Sequence, residues 1–215
     1  MDCLGIDFIG PFHPSTIKGI DHTHILLVID YFSRYVWAFP CRGDTSAELV
    51  RCFPSIFQRF GVPVGFYADP GSHFGKATKE YVKVAGAIWI TSVVAAKKAT
   101  GMIEKAVQII QQVIGKTLKS SEGLWAPLVE RAELEVNRRS ISHLGYSPCE
   151  IFLGFQPALE LKTEYPSYYR ETLRAALKTK DCFRNTDEEE GSNIIQFIST
   201  REYHRMLARA RSDKT

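Results

Sequence analysis

The order of its apolar segments constrains the fold of this chain more than any other feature of the sequence. Three short strand-like runs come first, joined by connections short enough for hairpins: Ile6–Ile9, Ile25–Ile29 and Tyr35–Phe39. Segments of helical period then alternate with further strand-like runs: Ser46–Phe60, Val64–Ala68, Thr78–Val84, Ile88–Ser92 and Ala99–Leu118. This βββαβαβα order predicts an α/β fold in which helices flank a mixed five-stranded sheet.

We divide the chain into a core and a carboxy-terminal extension. With 215 residues, of which 45% are hydrophobic, the chain can bury one substantial core and carry an appendage. The segment order is that of a ribonuclease-H-like core, which we place at residues 1–157. It includes two trailing helices, one over Trp125–Ile141 and one behind the capping-box pattern at 147–150. Residues 158–215 are expected to form a partly helical extension that contains the acidic run 187–190.

Three carboxylates occupy positions that favour a metal site. Asp7 interrupts the apolar run Leu4–Ile9, and Asp69 follows the run Val64–Ala68, so both are predicted on buried strands, where a charge is costly. Glu104 lies 35 residues after Asp69, near the start of the long helix. Because carboxylate oxygens suit hard cations, the trio predicts a site for two divalent ions and a scissile phosphate.

The long helix over Ala99–Leu118 is predicted to have an apolar and a polar side. Its apolar stripe advances by three or four residues at a time: Ile103, Val107, Ile110, Ile114 and Leu118. The adjoining face carries Glu104, Gln108, Gln111 and Gln112, and it can either meet a substrate or simply face solvent.

Charge is unevenly distributed along the chain. The net charge is only +3, yet residues 75–119 contain eight lysines and two acidic residues. This local basic stretch surrounds the predicted carboxylate site and favours contact with a phosphate backbone. A solvated lysine-rich face is the alternative.

Cysteine usage and hydropathy indicate the cellular compartment in which the protein is expected. The five cysteines are odd in number, scattered and never in a Cys-x-x-Cys pair, which argues against a disulfide framework and favours a reducing compartment. His22 and His24 have no cysteines at zinc-finger spacing, and we interpret them as loop histidines. No apolar run approaches the roughly 20 residues that span a bilayer, and no signal peptide opens the chain. We therefore expect an intracellular protein without a membrane partner.

Three blocks of this sequence resemble a known family. The segments Ile6–Pro11, Asp69–Phe74 and Gly101–Lys105 look like the three blocks of the integrase catalytic core of Gypsy-type LTR retrotransposons, in the retroviral integrase superfamily. That family carries an Asp, Asp, Glu (DDE) triad. A downstream segment resembles the region that follows this core in the same elements, through Trp125, Asn137, His143 and the motif over Tyr146–Gly154. The resemblance covers about residues 1–157.

The resemblance implies that Asp7, Asp69 and Glu104 are catalytic and bind two Mg²⁺ or Mn²⁺ ions. The implied enzyme is a metal-dependent polynucleotidyl transferase and endonuclease, which trims the 3′ ends of the element's DNA and joins them to target DNA. Side chains expected to contact nucleic acid are Lys97, Lys98, Lys105, Gln108, Gln111 and Lys116. The implied partners are DNA and further copies of the chain, and the implied location is the nucleus.

The helix predicted over Trp125–Ile141 has more apolar residues than one core-facing side of a helix requires. This surplus predicts self-association, and packing within the chain is the alternative. The family's amino-terminal zinc-binding domain and carboxy-terminal domain have no counterpart here. We therefore expect an excised core or the product of a decayed or captured element.

The chain departs from the family pattern at particular positions. Pro70 stands where the family usually has Asn or Arg, and Val107 stands where it commonly has Asn. Two alternatives to an active integrase core stay open. One is a weakened or domesticated remnant that binds nucleic acid or protein without turnover, and the other is a ribonuclease H or related metal nuclease on the same fold. Ribonuclease H enzymes generally carry a further acid in the first helix, where this chain offers only Glu48.

Overall fold

The computed structural model describes residues 1–68, 74–91, 97–118, 124–157, 199, 202–203 and 205–211, without the side chains of residues 97–100. The strands are β1 (Cys3–Ile9), β2 (Ser15–Ile17), β3 (Ile20–His22), β4 (His24–Asp30), β5 (Val36–Cys41), β6 (Gly65–Ala68) and β7 (Ile88–Thr91). The helices are α1 (Ser46–Phe60), α2 (Lys76–Val84), α3 (Lys97–Leu118), α4 (Val129–Arg138) and α5 (Pro148–Phe152). A 3₁₀ turn at Ala126–Leu128 leads into α4.

Five of the strands form one mixed sheet, in the order β5-β4-β1-β6-β7. β1, β4 and β5 are antiparallel neighbours, whereas β1, β6 and β7 run parallel. The parallel strands are reached through the helical crossovers α1 and α2, because parallel neighbours cannot be joined by a tight turn. The predicted five-stranded mixed sheet with flanking helices is confirmed.

The chain divides into two compact units, residues 1–139 and residues 140–215. The first contains the sheet and α1 to α4, and the second contains α5, whose predicted capping box between Ser147 and Glu150 is present. The described residues at 199, 202–203 and 205–211 are helical, in agreement with the expected helix in the extension. The domain boundary at residue 157 stays a prediction, because residues 158–198 lie outside the described ranges, as does the acidic run 187–190.

A small hairpin absent from the predicted segment order follows β1. Strands β2 and β3 pair antiparallel around a turn at Lys18 and Gly19, whose φ angles of 50° and 78° suit a two-residue hairpin loop. His22 therefore ends β3 and His24 opens β4, so the interpretation of both as loop histidines was wrong. For His22 the reason is that each hairpin strand has only three residues, too few for an alternating pattern to show, whereas His24 lies one residue before the predicted start of β4.

One face of the sheet packs against α3 and α4. The predicted apolar stripe of α3 is confirmed, since Ile103, Ile110 and Ile114 are buried and Val107 and Leu118 pack against the same cluster. The strands contribute alternate residues to this cluster: Ile9 from β1, Ile25, Leu27 and Ile29 from β4, and Val36 and Ala38 from β5. The alternation of a strand places these residues on one side of the sheet.

The opposite face packs against α1 and α2 through aromatic side chains. Phe53 of α1 stacks on Phe66 of β6 with ring centroids 4.8 Å apart, and Tyr81 of α2 lies 6.2 Å from Phe53. Helix α1 matches its predicted bounds; Thr45 caps its first turn, and Gly61, with φ 83°, follows its last. None of the helices in the described part of the chain is long and apolar enough to cross a membrane.

The helix predicted over Trp125–Ile141 is shorter than expected. Only Val129–Arg138 is α-helical, because Arg139 adopts an extended backbone conformation. Trp125, Val129 and Val136 are buried within the first unit, and Trp125 Nε1 donates a hydrogen bond of 2.7 Å to the His13 carbonyl. Part of the apolar surface that predicted self-association is thus covered within the chain, and self-association through this helix stays a prediction.

Helix α4 covers the outer edge of the sheet. The Val36 N–H of β5 donates to Asn137 Oδ1 over 2.8 Å, and Asn137 Nδ2 donates to the Val36 carbonyl over 2.7 Å. One turn earlier, Glu133 Oε2 accepts a 2.8 Å hydrogen bond from the Ala38 N–H. We call this pair of side chains the edge clip. It satisfies backbone groups that an edge strand would otherwise offer to another chain.

We predict that Glu133→Gln raises stability at alkaline pH and flattens its pH dependence. Burial raises the pKa of Glu133 to about 7, with Glu130 adding to the effect and the Ala38 hydrogen bond and Arg59 opposing it. The folded pKa lies above the unfolded value, so the neutral form stabilises the fold at acidic pH, and this contribution is lost as the pH rises through about 7. Glutamine keeps an oxygen for the Ala38 N–H but carries no charge.

The measurement is the free energy of urea unfolding between pH 5 and pH 8. Wild type should lose on the order of 1–3 kcal/mol over this range relative to Glu133→Gln. Glu130→Gln, on the exposed side of α4, is the matched control and should follow the wild-type profile much more closely. Parallel curves for wild type and Glu133→Gln would show that Glu133 does not titrate in this range.

Candidate active site

Asp7 lies in β1, the central strand of the sheet. Its backbone pairs with Leu27 of β4, and its side chain is partly buried. Asp7 Oδ1 accepts a 2.8 Å hydrogen bond from the Phe8 N–H. The structure therefore confirms that this carboxylate interrupts an apolar strand, where a cation would offset the cost of its desolvation.

The second predicted carboxylate, Asp69, lies outside the described residues, together with Pro70 and the rest of the segment 69–73. The parallel register between β1 and β6 pairs Ile6 with Ala68. The next residues in the two segments of the chain are Asp7 and Asp69. The distance between these two carboxylates stays a prediction.

Helix α3 packs closely on β1 at a glycine of the strand. A Cβ atom at Gly5 would lie 2.9 Å from Ile103 Cδ1 and 2.6 Å from Tyr31 Oη, so a larger residue would push α3 away from the strand. Gly5 and Asp7 are two residues apart in β1 and thus point to the same face of the sheet. The residue after Ile103 is Glu104, which is exposed. Helix α3, which contains Glu104, therefore packs on the face of the sheet that carries Asp7, and the distance between the two carboxylates stays a prediction.

The role of Gly5 was not predicted from the sequence. A glycine inside an apolar strand does signal close approach by another segment, so the information was present in the run 4–9. The sequence could not identify the approaching segment, because Ile103 is almost a hundred residues away along the chain.

The two described carboxylates of the predicted triad have the chemistry that a divalent cation requires. Asp7 and Glu104 both offer carboxylate oxygens, the ligands that Mg²⁺ and Mn²⁺ prefer. Within the described ranges, no three His, Cys, Asp or Glu side chains gather as a metal-binding group. The predicted third ligand, Asp69, is not part of those ranges, so the triad itself stays a prediction.

Glu48, the acid of the first helix, is held in ion pairs. Its Oε1 lies 2.7 Å from Arg42 Nε, and its Oε2 lies 2.8 Å from Arg51 Nη2. Burial acts to raise the pKa of Glu48, but the hydrogen bonds from Arg42 and Arg51 outweigh it and lower the pKa. A carboxylate engaged by two guanidinium groups is poorly suited to bind a metal, which argues against the ribonuclease H alternative.

The residues expected to contact nucleic acid lie on α3. Lys105, Gln108, Gln111 and Lys116 are exposed. Glu104, Gln108 and Gln111 follow helical spacing and share one exposed side of α3. Lys97 and Lys98 begin α3, and their side chains lie outside the description. The role of these residues in binding nucleic acid stays a prediction.

The chain is related to viral polyproteins in sequence, although no model of a protein family matches it. It is 28% identical over 173 residues to the Gag-Pol polyprotein of avian reticuloendotheliosis virus, covering 80% of this chain and 15% of the relative. It is 25% identical over 154 residues to the Pro-Pol polyprotein of simian foamy virus type 3 (strain LK3), covering 71% and 13%. The chain thus spans a small part of the curated relatives that it matches.

Solved integrase structures share its fold. The catalytic core domain of HTLV-2 integrase, solved with magnesium in a trimeric form, matches with a TM-score of 0.56 at 18% identity, over 70% of this chain and 95% of that one. A chain of a simian T-cell lymphotropic virus intasome, in complex with PP2A regulatory subunit B56 gamma, matches with a TM-score of 0.59 at 16% identity, over 77% of this chain and 58% of that one.

These comparisons confirm the resemblance to integrase cores and the ribonuclease-H-like fold, while the Gypsy-type assignment stays a prediction. This chain is similar in sequence to retroviral Pol polyproteins and has the fold of a retroviral integrase catalytic core.

Proposed function

We propose that this chain is an integrase catalytic core, a polynucleotidyl transferase that processes DNA 3′ ends and joins them to target DNA. The observation that carries the proposal is the close packing of α3, the helix that contains Glu104, on Gly5, which shares a strand face with Asp7. The relation to Pol polyproteins and the shared integrase fold support the same activity.

Asp7, Asp69 and Glu104 would hold two Mg²⁺ or Mn²⁺ ions. When bound, such ions stabilise the attacking and leaving oxygens of an in-line displacement at phosphorus. The partly buried Asp7 provides a fixed ligand on the central strand, and Glu104 provides a ligand from a helix that the core anchors. No nucleophilic side chain is required, because water or a DNA 3′-hydroxyl attacks the phosphorus.

The remaining exposed side of α3 would position the DNA. Gln108 and Gln111 can donate to phosphate oxygens from their amide nitrogens, and Lys105 and Lys116 add positive charge. Contacts of this kind carry no sequence information, so we propose that they set register along the DNA backbone. The proposed partners are DNA and further copies of the chain, and the proposed site of action is the nucleus.

Metal binding at Asp7 provides the first test. We expect millimolar Mn²⁺ to raise the melting temperature of the wild type and to leave Asp7→Asn unchanged, because the amide removes the charge that attracts the cation. At ten times its dissociation constant a ligand stabilises the fold by about 1.4 kcal/mol, or roughly 3–6 °C for a chain of this size. Thermal unfolding with and without Mn²⁺ measures the shift.

Asp2→Asn is the matched control, since Asp2 is exposed just before the same strand and its loss should leave the Mn²⁺ shift intact. An equal shift in wild type and Asp7→Asn would place the metal elsewhere. A wild type that Mn²⁺ fails to stabilise would remove the metal-dependent mechanism.

A further inference from the structure

Two cysteines that the proposed function does not use lie in contact. Cys41 ends β5 and Cys52 lies in α1, and their Sγ atoms are 3.9 Å apart. Both are free thiols. Their accessible fractions are 0% and 2%, so they form a buried thiol pair between the edge strand and the first helix.

The buried thiol pair lies beneath a guanidinium group. Arg51 Nη2 is 3.8 Å from Cys41 Sγ and donates a 2.9 Å hydrogen bond to the Pro40 carbonyl. The Arg51 side chain is 47% exposed, so the guanidinium group lies between solvent and the buried Cys41 sulfur that it contacts. The ion pair with Glu48 holds Arg51 in this position, and the thiols are therefore close to a fixed positive charge.

The two thiols are not equivalent. The hydrogen bond with Cys41 lowers the pKa of Cys52, against the effect of burial, and the charge of Arg51 lowers it further. The same hydrogen bond and burial raise the pKa of Cys41. Cys52 is thus the more acidic of the two thiols, and the thiolate is the nucleophilic form of cysteine. Cys41 is the less acidic thiol and lies beside it.

We propose that the buried thiol pair is a modification site at which a hydroperoxide converts Cys41 and Cys52 into a reversible disulfide. The Cys52 thiolate attacks the peroxide oxygen, which gives a sulfenic acid and releases hydroxide. Cys41 Sγ then attacks the sulfenic sulfur, forming the S–S bond and releasing water, with its thiol proton taken up by the leaving oxygen. In sum, two thiols and one hydrogen peroxide give one disulfide and two waters.

The geometry suits this reaction. A disulfide requires the sulfur atoms to approach to about 2.05 Å, a movement of about 2 Å from their present separation. The disulfide would link the end of β5 to α1 and close a short loop. Such a loop stabilises the fold because it reduces the conformational entropy of the unfolded chain. We expect the melting temperature of the oxidised protein to rise by about 5 °C.

The test uses the full chain, reduced and then treated with hydrogen peroxide under native conditions. Free thiols are alkylated after unfolding, and the protein is digested without reductant for mass spectrometry. We expect a linked pair of peptides that contain Cys41 and Cys52, short by two hydrogen atoms, which separates on reduction. Cys149, buried in α5, should remain available to the alkylating agent.

Two variants sharpen the result. Cys41→Ser should leave Cys52 as a sulfenic acid that dimedone traps, whereas Cys149→Ser should form the linked peptides as wild type does. If Cys41→Ser does not fold, the wild-type peptide map still decides the question. The proposal is overturned if peroxide leaves Cys41 and Cys52 both alkylatable, or if Cys52 is recovered only as sulfinic or sulfonic acid beside a free Cys41.

Discussion

Glu104→Gln is expected to eliminate metal-dependent cleavage and joining of DNA by this chain. The substitution preserves size but removes the charge of a proposed metal ligand, and metal ions supply several kcal/mol of transition-state stabilisation in such reactions. The expected loss is therefore at least about 10²-fold. Glu104 is exposed, so the fold should be unaffected. A labelled branched DNA substrate with Mn²⁺, assayed for cleavage and for reversal-type joining, provides the measurement.

Glu130→Gln is the matched control because it removes a charge from an exposed glutamate of another helix, and it should retain activity. Activity should fall steeply with added salt, since the expected contacts are mainly to phosphate. Retained activity in Glu104→Gln would refute the assignment of this carboxylate to the site.

Val107→Asn separates an active core from a decayed one. The family commonly has asparagine at this position, and if that side chain helps to seat the DNA backbone, the substitution should raise activity. Val107 packs against the core cluster, so the variant is expected to lose stability, and activity must be compared per folded molecule. An inert wild type beside an active Val107→Asn would identify the chain as a degenerate integrase.

Asn137→Ala is expected to destabilise the fold by roughly 2–5 kcal/mol. Asn137 is 1% exposed, and its amide accepts from the Val36 N–H and donates to the Val36 carbonyl. Alanine would remove both hydrogen bonds and leave the N–H and the carbonyl of Val36 without them. The free-energy cost of such unsatisfied buried groups exceeds what the hydrogen bonds themselves contribute to stability. Urea unfolding monitored by circular dichroism gives the free energy directly.

Arg139→Ala serves as the control, because Arg139 is exposed two residues further along the chain and should change stability by less than about 0.5 kcal/mol. If Asn137→Ala were no more destabilising than Arg139→Ala, the two hydrogen bonds of Asn137 in the edge clip would contribute nothing measurable to the fold.

Much of the fold was predictable because it depends on local periodicity. The stripe from Ile103 to Leu118 repeats at helical spacing, and the bounds of α1 follow from its apolar positions and from Gly61. The hairpin of β2 and β3 escaped prediction because three-residue strands show no period. Helix α4 is shorter than the helix predicted from the hydropathy pattern, because the backbone becomes extended at Arg139 and hydropathy does not encode that change.

In the candidate site, too, local features were predictable and contacts between distant residues were not. That Asp7 interrupts an apolar strand, and that Glu104 begins the polar side of an amphipathic helix, could be read from the sequence because both facts concern neighbours along the chain. The packing of Ile103 on Gly5, the binding of Asn137 and Glu133 to the edge of β5, and the contact of Cys41 with Cys52 became visible in the folded structure alone. Each of these contacts joins separate elements across the fold, and its partner is selected by packing and by the need to satisfy buried backbone groups rather than by local pattern.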